Sequence, residues 1–117
     1  MTLEWTEGQP IYRQLRERVV AMILDGLLGE GDPLPSVRAV AADYRINPLT
    51  VLKAYQQLAD ERLVEKRRGL GMFVNEGARD LLLKAERESF LERQWPEIRA
   101  KLRRLGLKLA DLPQEEG

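Results

Sequence analysis

Arg38, Asn47, Thr50 and Lys53, followed by Lys66-Arg67-Arg68 with Gly69, Leu70 and Gly71, are the residues of this sequence whose types and spacing could do chemistry. Arginine presents a planar fork of donors that can grip a phosphate or a guanine edge through two hydrogen bonds, and lysine supplies a compact point charge. Asparagine and threonine carry hydrogen-bonding groups close to the backbone. This is the chemistry of recognition, not of bond making. The chain has no histidine and no cysteine, which removes the commonest catalytic base, the thiolate nucleophile and the usual zinc ligands. No Gly-x-Ser-x-Gly, Walker or metal-binding spacing occurs. Gly69 and Gly71 are followed by neither Gly-Lys-Ser/Thr nor a helix start, so they do not form a nucleotide-phosphate loop. No enzyme, no cofactor and no metal is expected.

Residues 34–58, LPSVRAVAADYRINPLTVLKAYQQL, predict the elements that position this set: two short helices joined by a tight turn. Ser36 can cap the first, whose apolar Val37, Val40 and Ala41 follow at helical spacing, and that helix should fail near Asn47 and Pro48. Asn47 is a strong N-cap type for the second, and Pro48 suits its first position, where a missing N–H is no loss. Val51, Tyr55 and Leu58 then form one buried stripe, with Leu49, Thr50, Lys53 and Gln57 off it. The segments 63–67 and 71–75 read as a β-hairpin turning at Arg68-Gly69-Leu70. A hairpin after a helix-turn-helix is a wing. From residue types alone Arg38 is equally a DNA contact or a solvated arginine, Asn47 is as well explained as a plain N-cap, and a basic turn is more often merely solvated.

Before this region, the alternation of Leu3 and Trp5 suggests a brief edge strand within residues 2–9. Pro10 opens a helix with Ile11, Leu15, Val19, Met22, Ile23 and Leu27 on one side and Arg13, Arg16, Glu17 and Asp25 on the other, stopped by Gly29-Glu30-Gly31-Asp32-Pro33. Beyond Gly77 the chain turns helical. Leu91, Trp95, Ile98, Leu102, Leu105, Leu109 and Leu112 are spaced 4, 3, 4, 3, 4, 3, a heptad seam to which Leu81, Leu82, Leu83 and Phe90 add apolar surface. Pro96 should end or kink the first tail helix and Gly106 should end the next. A short tail cannot bury so many leucines alone, so a homodimer is expected, with packing back on the same subunit as the alternative. The fold class is therefore mainly α with a small β-hairpin: a winged helix-turn-helix domain over 1–75, an α-helical dimerisation tail over 77–112 and a disordered end over 113–117.

The 19 basic and 19 acidic residues among 117 cancel, so whole-chain charge gives no support to nucleic-acid binding. Residues 35–71 nevertheless carry seven basic against four acidic side chains, a local excess of the sign a phosphate backbone attracts. The N-terminus lacks a basic n-region and an apolar h-region, and no apolar run reaches membrane-span length. A cytoplasmic protein without membrane contact is expected.

PIYRQL at 10–15, GDPLPSVRAVA at 31–41, NPLTVLKAYQQL at 47–58 and LVEKRRGLGMFV at 63–74 together resemble the winged-helix domain of GntR-family bacterial transcription regulators, in the family's order over about residues 10–75. The short tail resembles the YtrA-type subfamily, in which a few C-terminal helices dimerise the protein. The resemblance implies that Arg38, matching the family's P-S-x-R arginine, reaches DNA backbone or base edges, with Ser36 beside it capping the helix or meeting phosphate. It places Asn47, Leu49, Thr50 and Lys53 at the start and outer face of a recognition helix in the major groove. Lys66, Arg67, Arg68, Gly69 and Leu70 match the wing tip, near the minor groove and its phosphates. Leu49 stands where a polar residue is usual and could pack on a thymine methyl or simply be exposed. Arg45 stands where the turn has glycine and implies a left-handed backbone. Leu83, Phe90, Leu91, Trp95, Ile98, Leu102, Leu105 and Leu109 are the implied dimer contacts. The expected partner is double-stranded DNA, bound at an inverted-repeat operator by a homodimeric regulator acting as a repressor, with no assignable small-molecule effector. The alternative is a winged helix used for protein or RNA contact.

Overall fold

A computed structural model of the protein describes residues 5–115. Its elements are α1 (Ile11–Leu24), α2 (Val37–Tyr44), α3 (Pro48–Asp60), β1 (Val64–Arg67), β2 (Gly71–Val74), α4 (Ala78–Ser89), a π-helical turn (Phe90–Gln94), α5 (Trp95–Arg104) and a 3-10 turn (Leu109–Asp111). The chain divides into two compact units, Met1–Leu83 and Lys84–Gly117. Of the strand expected within residues 2–9, residues 2–4 lie outside the described residues and 5–9 form a turn and bend instead. Residues 116 and 117 of the expected disordered end also lie outside them. No helix among the described residues is long and apolar enough to cross a membrane.

In the first unit the stripe Val51, Ala54, Tyr55 and Leu58 of α3 is fully buried against Leu15, Val19 and Ile23 of α1, Val40 and Ala41 of α2, and Val64 and Val74 of the hairpin. Ala78 and Leu82 of α4 complete this core. Helix α1 ends earlier than its punctuation suggested. Gly26 takes a left-handed φ of 83°, and the Leu27 N–H closes on the Met22 carbonyl at 2.8 Å, the pairing of a Schellman stop. Leu27 therefore lies beyond the helix and is 71% exposed, while Leu28 turns inward. Arg16, expected on the solvent side of α1, is only 13% exposed and forms a two-pronged ion pair with Glu61 at the end of α3, its Nε donating to Oε2 at 2.7 Å.

The hairpin is antiparallel, with Val64 opposite Val74 and Arg67 opposite Gly71. The Gly29–Pro33 run does more than follow a helix. Its Gly31 N–H donates to the Val74 carbonyl at 2.8 Å, Asp32 accepts from the Val74 N–H at 2.9 Å, and Leu34 donates to Met72 at 2.8 Å. A single bridge pairs Pro33 with Phe73. The free edge of β2 is thus covered, so it offers no open template for another strand.

In the second unit the heptad seam does not run through. Proline at 96 lacks an N–H and its ring crowds the carbonyl four residues back. A π-helical turn precedes it, with the Trp95 N–H on the Phe90 carbonyl. Gly106, at φ 68°, ends α5, and Leu107 N–H closes on Leu102 at 2.8 Å. Of the seam residues only Trp95, Ile98 and Leu102 share α5; Leu105 is its C-cap, and Leu109 and Leu112 lie on the far side of the glycine.

One buried phenol ties α3 to the approach of α2: the Tyr55 hydroxyl donates to the Pro35 carbonyl at 2.7 Å. Burial pushes its pKa up from 10 to about 12, so the stability contributed by the neutral phenol is complete below pH 10 and is lost as pH rises towards 12. Tyr55→Phe should destabilise the first unit by about 1 kcal/mol at neutral pH. In urea melts from pH 10 upward, the wild type should lose stability faster than the variant; parallel losses would contradict a buried neutral phenol.

Candidate nucleic-acid interface

The two helix starts are built as their residue types dictate. Ser36 Oγ accepts from the Ala39 N–H at 3.0 Å, and Asn47 Oδ1 accepts from the Leu49 N–H at 2.9 Å, each satisfying a backbone donor that the first helical turn leaves unpaired. Between them Arg45 adopts φ 53° and ψ 48°. This left-handed residue lets the Ile46 N–H reach the Ala41 carbonyl at 3.0 Å, at a cost of about 1 kcal/mol for a residue with a Cβ. Ile46 packs on the core in return. The turn thereby brings Arg38, exposed on the second residue of α2, alongside Ala42, Ile46 and Pro48 at the start of α3.

Because α3 buries one stripe, its opposite face is determined. Leu49 and Leu52 are 69% and 50% exposed, Lys53 and Gln56 are exposed, and Thr50 and Gln57 are half-buried. Lys53 does not swing free: its Nζ sits 4.1 Å from the centre of the Tyr12 ring, a cation–π contact that holds the charge between α3 and the first turn of α1. Arg13 Nε donates to the Tyr12 hydroxyl at 3.3 Å. That bond draws the Tyr12 pKa below the usual 10, against an opposing effect of desolvation and with lesser help from the positive charges of Arg13 and Lys53. Gln56 Nε2 is turned along the helix to Asp60 Oδ1 at 3.0 Å.

The hairpin's pleat separates cations that are adjacent in sequence. Lys66 lies on the face of Val64 and lines one groove with Tyr12, Leu49, Leu52 and Lys53. Arg67 lies on the other face, its guanidinium 4.3 Å from the Phe73 ring centre and its Nε donating to Glu65 at 3.1 Å. Arg68, Gly69 and Leu70 make the exposed tip, Gly69 at φ 78°. Arg38 thus stands beside the start of α3 and Lys66 beside its outer residues, while Arg67 lies on the opposite face of the hairpin. In the second unit Trp95 and Leu102 are half-buried, and Phe90, Leu91, Ile98, Leu105 and Leu109 are exposed; Leu83, in the first unit, is half-buried.

Three participants escaped sequence reasoning. Tyr12 and Gln14 sit in the PIYRQL segment, where their types alone do not say what they touch. Gln14 is buried, its amide donating to the Thr6 and Gln9 carbonyls and accepting from the Thr6 N–H, which fastens the N-terminal segment onto α1. Leu52 is exposed where helical spacing alone could equally have left it at the border of the core.

Residues 11–74 match the family model described as bacterial regulatory proteins, gntR family. The HTH-type transcriptional repressor YtrA of Bacillus subtilis is 39% identical over 77 residues, covering 66% of this chain and 59% of that relative's length. Among solved structures, a GntR family transcriptional regulator from Listeria monocytogenes superposes with a TM-score of 0.75 at 25% identity, over 91% of both chains. YtrA from Sulfolobus acidocaldarius, a GntR-family transcription factor, superposes with a TM-score of 0.61 at 27% identity, over 90% of this chain and 95% of that one.

The Tyr12 contacts predict an ordered titration. Followed by ring-carbon chemical shift, Tyr12 should ionise well before Tyr55. Arg13→Ala should move the Tyr12 midpoint up, and Lys53→Ala should move it up by a smaller step. An unmoved midpoint in both variants would mean that the cation–phenol cluster is absent in solution.

Proposed function

The chain belongs to the gntR family of bacterial regulatory proteins, as a DNA-binding helix-turn-helix regulator, and on that premise we propose that it is a YtrA-type repressor that binds an inverted-repeat operator as a homodimer. The observation that carries this reading is the placement of cations on both sides of α3, Arg38 beside its start and Lys53 and Lys66 along its outer face. In the proposal residues 1–75 are the DNA-binding domain, with α3 in the major groove and the hairpin tip along neighbouring phosphates. Arg38 holds a phosphate or base edge at the side of α3. Ser36 and Asn47 use their side-chain oxygens as caps, leaving the serine hydroxyl proton and the asparagine NH2 for DNA. Thr50 and Lys53 approach from the outer face of α3. Lys66, Arg68, Gly69 and Leu70 meet the backbone at the wing, and Arg67 contributes chiefly through the field of its charge.

Residues 77–112 serve as the dimerisation tail. Support comes from exposure: the π-helical turn, α5 and the 3-10 turn bury no residue in the single chain, although they carry Phe90, Leu91, Trp95, Ile98, Leu102 and Leu109, and the C-cap Leu105 is exposed as well. Apolar area on this scale is stabilised by removal from water. One recognition helix reads too few base pairs to find a site among many competitors, so two coupled readers about 34 Å, or a multiple of that, apart are expected. A dimer seated on an operator that overlaps a promoter acts most simply by covering it. The YtrA-type assignment is supported by the likeness to YtrA of Bacillus subtilis and to YtrA of Sulfolobus acidocaldarius, the latter superposing over 90% of this chain.

Two outcomes follow. Arg38→Ala should weaken operator binding by roughly 1–3 kcal/mol in a folded protein; unchanged affinity removes Arg38 from the interface. Ile98→Asp should shift sedimentation from dimer to monomer because an unpaired carboxylate is costly to bury. It should also abolish the preference for a full over a half operator, and a wild-type monomer that binds both equally defeats the dimer proposal.

A further inference from the structure

Leu49 and Leu52 are large apolar side chains left bare at i and i+3 on the outer face of α3, at 69% and 50% exposure. The polar groups around them are partly engaged: Lys53 with the Tyr12 ring and Gln56 with Asp60. Lys66 closes the same groove. We infer that Leu49 and Leu52 read the 5-methyl groups of thymine in the major groove, making apolar contact the base-discriminating chemistry of this helix. The inference rests on the regulator proposal and names what that surface selects.

Charge and shape choose the occupant. Lys53 and Lys66 outnumber Asp60 in the groove that holds the two leucines, an excess that favours a polyanion, and an α-helix fits the major groove of B-DNA. The thymine methyl is the one apolar group that the base edges present there. Leucine offers no donor or acceptor, so it cannot tell guanine from adenine by hydrogen bonding. It can bury a methyl, and it leaves the amino group of a cytosine at the same place without a partner. An RNA helix does not fit, because its major groove is deep and narrow and uracil lacks the methyl. A protein partner would meet an apolar pair hemmed in by cations, whereas protein interfaces have cores depleted of charge.

The test removes only the methyl. The full-length protein is used to select duplexes from a random library, and each thymine of the selected site is then replaced singly by deoxyuridine. Wild type should lose about four-fold in affinity at one or more positions, the effect of one buried methyl-sized group. Leu49→Ala and Leu52→Ala, exposed changes that leave the core intact, should each be indifferent to uridine at the position that its leucine covers. Selective binding that ignores uridine everywhere, or alanine variants that keep the full methyl effect, would overturn the inference alone. A protein that selects no duplex would overturn both it and the regulator proposal.

Discussion

Burial of the stripe Val51, Ala54, Tyr55 and Leu58 is the constraint from which the rest of the first unit follows. A helix has one rotational degree of freedom about its axis. Once four side chains at i, i+3, i+4 and i+7 are packed between α1, α2 and the hairpin, that freedom is gone. The outer residues Leu49, Leu52, Lys53 and Gln56 are then presented as a fixed set, and a slip of one position would bury a lysine and expose a tyrosine. The Tyr55 bond to Pro35 and the Arg16–Glu61 ion pair pin the helix at two further points. A reader of base edges needs this rigidity, because hydrogen-bond and apolar contacts tolerate only small errors in position.

Electrostatics adds reach without altering that frame. With no net charge over the chain, attraction to a polyanion must be local, and at physiological salt charges act over roughly 8 Å. Arg38, Lys53 and Lys66 stand on α2, α3 and β1 in turn, and Lys53 is held by Tyr12 rather than left to wander. Arg67 shows the limit of counting charges in a run: the pleat turns it away from Lys66 and gives it Glu65 and Phe73 as neighbours.

Features governed by near neighbours in the chain were legible in the sequence. Both N-caps, the proline at the first position of α3, the buried stripe and the hairpin with its turn all follow from local residue types and period. The left-handed Arg45 was flagged by the family's glycine at that place. Arg62 adopts the same conformation at φ 63°, closing α3 through Leu63 N–H to Leu58, with no residue-type signal to announce it. Features requiring distant segments to meet were not legible. Tyr12 under Lys53, Gln14 holding Thr6, Arg16 on Glu61 and the bridge from Pro33 to Phe73 all join residues whose adjacency exists only after folding. In the tail, the breaks at Pro96 and Gly106 were legible from residue type, whereas the π-helical turn before Pro96 was not.

The central claim is that a chain neutral overall presents a localised cationic surface to duplex DNA. The most direct measurement is affinity for a selected duplex across a salt series, for wild type and Lys66→Ala. Log affinity should fall linearly with log salt, and the Lys66→Ala line should be shallower by about 0.9, one released counterion. Affinity that does not change with salt, or a slope untouched by losing Lys66, would contradict the account.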